Sequence, residues 1–258
     1  MFKNSDDIQI LTVPREPRRY LILIRAGSKR RPSLFSEPLS ERREYDVGIN
    51  YYADPHPDDA FRTGAELIFG GGLSKMHGAK RLFEATGLHN IYEGVFFLDD
   101  DIEVLFDPDD FFKLCEEYSL DIAQPSLTSD SFCVIPLTRH HPGLILRTTN
   151  WVEVMAPFFR RDFLREMLHS FDLSISGWGL DIYWGHHLKE RWRAGIVDNF
   201  LIRHANECKP DSGPFYDYLK GIGVNPSNDM KTILTIIDTN PYVVRPMQFV
   251  YHTYFFRA

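Results

Sequence analysis

Apolar positions along the chain fall into two rhythms. "YLILIRAG" (Tyr20 to Gly27) and "GVFFLDDD" (Gly94 to Asp101) are unbroken apolar runs that stop at a loop residue or a charge, the pattern of strands buried on both faces. "RREYDVGINYY" predicts another strand around Tyr45 to Tyr51, and "SKRRPSLFSEPLSE" between the first two is loop-like. Other segments repeat at helical spacing. "SKMHGAKRLFEAT" sets Met76, Ala79, Leu82 and Phe83 on one face with Ser74 as N-cap. "DPDDFFKLCEEYSL" opens with acids that suit the positive end of a helix dipole. "RRDFLREMLHSF" and "GLDIYWGHHLKERW" read as helices, as does "DDAFRTGAELIF" before the break at Gly70 to Gly72. "NWVEVMAPFF" reads as a strand, and "AGIVDNFLIRH" as a strand pair or a strand and loop.

Strands alternating with helices predict an α/β fold: one Rossmann-like domain over residues 1–258, with a central, mostly parallel sheet flanked by helices. From about residue 208 the chain reads as a looped extension, followed by a short apolar helix or strand.

Composition narrows the class of partner. A hydrophobic fraction of 43% and a charged fraction of 25% are those of an ordinary globular chain. A net charge of -7 argues against nucleic acid, since a phosphate backbone selects basic domains. A small anion held by a metal and a few local cations remains compatible with it. Cys115, Cys133 and Cys208 form no CxxC pair, so reduced thiols are expected rather than a zinc knuckle. "MFKNSDDIQILTVPREPRRY" lacks the apolar core of a signal peptide. No run approaches the roughly 18 apolar residues of a membrane helix. A cytoplasmic chain is expected, or one domain of a larger protein. The aromatic tail "PMQFVYHTYFF" suits core packing or a subunit contact, such as a homodimer, with peripheral membrane contact as the alternative.

The candidate chemistry starts at Asp99, Asp100 and Asp101, directly after a buried strand. Ligands of parallel sheets bind beyond the carboxyl ends of the strands, and the repulsion of gathered carboxylates is relieved by a hard cation such as Mn²⁺ or Mg²⁺. In extended geometry Asp99 and Asp101 share a face. Solvated loop charges are the competing reading. "GGGLSK" lacks P-loop spacing, so ATP hydrolysis is not read from it.

"FFLDDDIEV" resembles the DxD region of GT-A-fold glycosyltransferases, which bind a nucleotide-sugar diphosphate through a divalent metal. "GGLSKMHGAKRLF", "WVEVMAPFFRRDFL", "SGWGLDIYWG" and "GIVDNFLIRH" are similar, in order and approximate spacing, to domain-of-unknown-function family 707. The likeness covers roughly residues 65 to 206. It implies a GT-A-like domain using a nucleotide-diphosphate sugar, a UDP-sugar foremost, and a glycan acceptor. On that resemblance Asp101 ligates the metal, Asp99 meets the metal or the ribose through water, and Asp100 stands between them on the nucleotide side. His204 completes the metal site. Asp181 of "GWGLD" is the base of an inverting enzyme, taking a proton from the acceptor hydroxyl; a helix-start role is its alternative. Arg25, Ala26 and the amides of their turn meet the nucleotide, unless Arg25 is a solvated loop residue. Lys75 contacts the diphosphate or base. Glu153 and Trp178 contact sugar, with buried structural roles as alternatives. The Lys29 to Arg31 run is a solvated loop. Two other functions compete: a metal-dependent nucleotide-sugar or phosphoester hydrolase, and a non-catalytic sugar-binding module.

Overall fold

The computed structural model describes residues 4–27, 34, 38–54, 64–132, 135–206, 212–238 and 246–251. Ser28, the Lys29 to Arg31 run, Cys133, Cys208 and the end of the aromatic tail lie outside the described residues.

Among the described residues eleven strands form one sheet: β1 Ile8–Thr12, β2 Tyr20–Ala26, β3 Tyr45–Tyr51, β4 Leu67–Gly71, β5 Gly94–Asp99, β6 Ile102–Val104, β7 Ile122–Leu127, β8 Leu144–Thr149, β9 Phe158–Arg160, β10 Ala194–His204 and β11 Pro246–Tyr251. The order is β1-β4-β3-β2-β5-β9-β7-β10-β8-β11, with β6 pairing β10 off that path. β4, β3, β2 and β5 are mutually parallel, as are β7 and β10. β9 runs antiparallel between β5 and β7, so those two point the same way. The mostly parallel centre matches the expected α/β class.

β2, β3 and the apolar part of β5 are buried along their length because helices cover both faces. Alternation sorts their side chains. Leu21, Leu23, Val95 and Phe97 face one layer, with α1 Lys75–Thr86, α3 Arg161–Met167 and α4 Leu180–Leu188. Tyr20, Ile22, Ile24, Phe96 and Leu98 face the other, against Phe111 and Phe112 of α2 Pro108–Glu117. α1 begins where expected, its N-cap Ser74 hydroxyl accepting from His77 N.

Four expectations are corrected. Leu67–Gly71, expected at the end of a helix, is strand β4: "LIFGG" is buried throughout and pairs with β3 and β1. The strand expected over "NWVEVMAPFF" shrinks to Phe158–Arg160, because side chains capture the backbone of the preceding stretch and Pro157 has no N–H to donate. "AGIVDNFLIRH" is one strand, not a pair. It shifts register against β7 between Val197 and Leu201, where β7 presents Pro125. The C-terminal extension, expected as loop, carries helix α5 Pro214–Gly221; the short apolar helix expected after it is α6 Pro226–Ile236, and the chain then returns as β11 along β8. Cys115 is buried and free, and burial pushes its thiol up, away from the reactive thiolate.

Candidate active site

The parallel strands end in a row of loops, and the acidic residues of the sequence gather there. β5 stops at Asp99, and the chain turns through Asp100 and Asp101 into β6. Alternation ends with the strand, so the three carboxylates diverge. Asp99 Oδ1 lies 2.9 Å from Lys75 Nζ. Asp100 Oδ2 accepts from Gly27 N at 3.0 Å and from the Tyr52 hydroxyl at 3.4 Å. Asp101 Oδ2 accepts from the Asn206 amide at 2.8 Å and stands 3.2 Å from His204 Nε2. Burial raises the carboxyls of Asp99 and Asp100, that of Asp100 to about 6; the charge of Asp101 adds to both, while Lys75 opposes the shift at Asp99 and the Gly27 N–H opposes it at Asp100.

β6 brings Asp101 to His204. It pairs antiparallel with the end of β10, setting Ile102 opposite His204. His204 Nδ1 lies 3.1 Å from the carbonyl oxygen of Phe132. A carbonyl only accepts, so that nitrogen carries a hydrogen and Nε2 is the ring atom turned toward Asp101. With the ring protonated this contact is an ion pair, and with Nε2 deprotonated the nitrogen and the carboxylate together suit a shared cation. A carbonyl behind the distal nitrogen is also the usual support for a metal-binding imidazole. Among the described residues no three His, Cys, Asp or Glu side chains converge as a metal cage. Mg²⁺ and Mn²⁺ sites commonly use one or two protein ligands with substrate phosphates, and Asp101 and His204 fit that partial shell. Asp99 instead sits on Lys75.

Lys75 also donates to the Met155 carbonyl at 2.7 Å. That contact anchors one end of the segment Trp151–Met155. At the other end the Trp151 indole N–H donates to Asp181. Between them Glu153 donates its backbone N–H to Gln124 Oε1 at 2.6 Å. Five residues thus reach from the acidic turn to the start of α4. Burial pushes the Glu153 carboxyl up to about 7, reinforced by the Asp181 charge and opposed by His204 and Lys75. Asp181 is pushed up to about 6 by burial, against hydrogen bonds from the Ile182 N–H at 2.8 Å and from Trp151.

Asp181 owes its position to a glycine turn. Gly179 has φ +89°, and an added Cβ would lie 3.0 Å from the Ile233 side chain, so any other residue is strained there. Asp229 of α6 holds the approach to this turn, accepting from Ser176 N at 2.9 Å and from the Ser174 and Ser176 hydroxyls. Trp178 is half-buried. Its indole donates to the Tyr216 hydroxyl at 3.2 Å, and the two rings meet edge-on at 6.4 Å, so α5 and Trp178 form an aromatic wall beside the Asp181 turn.

Arg25 is not a solvated loop residue. It is buried, donating to the carbonyls of Gly71 at 2.6 Å and Gly72 at 2.7 Å and to the Asn50 and Asn4 side chains. Burial pushes its guanidinium down to about 10. Ala26 is likewise interior. These side chains clamp the ends of β2, β3 and β4 together beneath the loop row. Asp198, the acid of "GIVD", is also structural: Arg147 pairs with it at 2.7 Å and the His141 N–H donates at 2.8 Å.

Sequence reasoning missed Gln124, Trp151, Tyr52 and Asn206. Gln124 left one signal, a lone amide in the buried run "IAQPSL". Trp151, Tyr52 and Asn206 sit where ordinary core or loop residues sit, so their partners emerge only from the fold.

Comparison with solved structures identifies the fold. The chain is similar over 80% of its length to GalNAc-T7, solved with UDP, GalNAc and Mn²⁺, at a TM-score of 0.52 and 10% identity, and it spans 48% of that chain. It also aligns over 84% of its length with S. aureus TarS 1-349, of which it spans 70%, at a TM-score of 0.47 and 11% identity. The class defined is the GT-A fold. No family model and no curated protein matches the chain, so membership of family 707 is not confirmed. Among the described residues no helix is long and apolar enough to cross a membrane.

Proposed function

We propose that the protein is a metal-dependent glycosyltransferase that moves a sugar from a nucleotide-diphosphate donor, foremost a UDP-sugar, to a hydroxyl of a glycan acceptor with inversion. The observation that carries this reading is the segment Trp151–Met155, which links Asp181 to the Lys75–Asp99 pair across Glu153. An inverting transfer needs a base on one side of the sugar and cationic support for the leaving diphosphate on the other, and the two ends of this segment meet those groups.

In this reading Asp101 and His204 would hold Mn²⁺ or Mg²⁺, whose chemistry would be to offset charge on the departing diphosphate. Lys75 shares that task once a phosphate competes with Asp99 for its ammonium. Asp100 fixes the turn after β2 through Gly27 and Tyr52, shaping the nucleotide side. Asp181 Oδ2 accepts the acceptor proton while Oδ1 stays on the Ile182 N–H. Glu153 faces the transferred sugar, and Trp178 with Tyr216 offers a flat apolar surface to the acceptor ring. The continuous sheet supports reading residues 1–258 as one domain.

The test is turnover of UDP-sugars with Mn²⁺ by the wild type and by Asp101→Ala. Metal-stimulated transfer should disappear in the folded variant. Undiminished transfer would remove Asp101 from the metal site, and donor loss that needs no acceptor would identify a hydrolase.

A further inference from the structure

The centre of the Trp151–Met155 segment holds two polar atoms that the fold leaves unmatched. Gln124 is fully buried in β7. Its Oε1 accepts from the Glu153 N–H at 2.6 Å, and this settles the amide orientation, because only the oxygen can accept. Nε2 therefore points away, and it is buried without a partner. Glu153 Oε2 is likewise buried without a partner. An unmatched donor and an unmatched acceptor thus belong to two side chains joined by one hydrogen bond. Buried polar groups are paired in nearly all native structures, and the exceptions call for an explanation such as a ligand. Asp229 and Asp46, by contrast, each accept from several donors within the fold.

A group that fits both atoms must accept from an amide and donate to a carboxylate, and a hydroxyl does both. Its source follows from position. One end of the segment reaches Asp181 and the other reaches Lys75 and Asp99. During transfer the sugar ring lies between the diphosphate it leaves and the hydroxyl that attacks it, so groups midway between those sites face the transferred sugar. We infer that Gln124 Nε2 and Glu153 Oε2 together read one non-anomeric hydroxyl of the donor sugar, with Gln124 as a specificity residue. This rests on the nucleotide-sugar reading above.

Calorimetry with Mn²⁺ tests it, using UDP alone and then UDP-glucose, UDP-galactose, UDP-N-acetylglucosamine and UDP-N-acetylgalactosamine. Two variants are compared with the wild type. Gln124→Glu keeps the acceptor for the Glu153 N–H but removes the donor, and Glu153→Gln keeps the side-chain shape. The wild type should bind one UDP-sugar more tightly than UDP. Both variants should bind UDP within about twofold of the wild type, which also shows that they fold, while losing about tenfold in affinity for that UDP-sugar. Retention of the sugar-dependent gain by Glu153→Gln overturns the inference, as does a wild type that binds UDP but gains nothing from any sugar. Failure of the wild type to bind UDP at all overturns the nucleotide reading itself, and this inference with it.

Discussion

The two ends of the same parallel strands treat acidic side chains in opposite ways. At the amino end, Asp46 near the start of β3 is fully buried, and donors occupy both its oxygens: Arg18 Nη1 at 2.7 Å, Arg18 N at 3.0 Å and the Tyr92 hydroxyl at 2.8 Å. At the carboxyl end, Asp99, Asp100, Glu153 and Asp181 are all raised by burial, and Glu153 Oε2 has no partner. The first end spends its acids on holding β3, the Arg18 segment and Tyr92 together. The second keeps carboxyls in poorly solvated surroundings, one of them with an oxygen that no donor meets, which lowers stability and poises them for a ligand. Burial alone does not separate the two ends; the completeness of the donor set does.

Substitutions should break that contrast in different observables. Asp181→Asn removes the proposed base while keeping the shape and the Ile182 contact, and transfer should fall by roughly 10²- to 10⁴-fold with donor binding retained. Turnover and calorimetry on the same preparation check this, and near-normal turnover would remove Asp181 as the base. Asp46→Ala should act on the fold instead. The Tyr92 hydroxyl loses its acceptor in the interior and Arg18 loses its carboxylate, at a cost of about 3 kcal/mol in unfolding free energy. Denaturant unfolding reads that loss, and donor affinity measured well below the new midpoint should be unchanged. If Asp46→Ala weakens donor binding while leaving stability intact, the division of labour between the two ends is wrong.

The legible parts of this molecule are those whose signal is local. Unbroken apolar runs give away β2 and β5, because strands covered on both faces need no polar face, and Ser74 ahead of a helical stripe marks the start of α1. "LIFGG" misleads for the opposite reason: its preceding residues suit a helix, and only its neighbours β1 and β3 make it a strand. The candidate site divides along the same line. The acidic triplet and Asp181 stand out as charges beside apolar runs or glycine turns. The divergence of the triplet was not legible, since it depends on where β5 stops and on Gly27, Lys75 and His204 arriving from distant segments. Gln124 is the clearest loss: its meaning comes wholly from the Glu153 backbone, which a sequence cannot place beside it.

The smallest effect is a pH-dependent one, and its sign distinguishes the two ends of the sheet most directly. The Glu153 and Asp181 carboxyls, at about 7 and about 6, lie above their unfolded values of roughly 4. The folded chain therefore binds these protons more tightly than the unfolded chain. The stability they contribute is fully present below about pH 4 and is lost as the pH rises through about 6 to 7. Glu153→Gln cannot ionise, and a buried amide is cheaper than a buried charge. Its Tm should match the wild type near pH 4.5 and exceed it by about 2–4 °C at pH 8, the shift that about 1 kcal/mol gives in a chain of this size. Thermal unfolding of both proteins across that range checks the sign. A difference that stays flat with pH, or a variant less stable at pH 8, would mean that the Glu153 carboxylate is already paired, as Asp46 is.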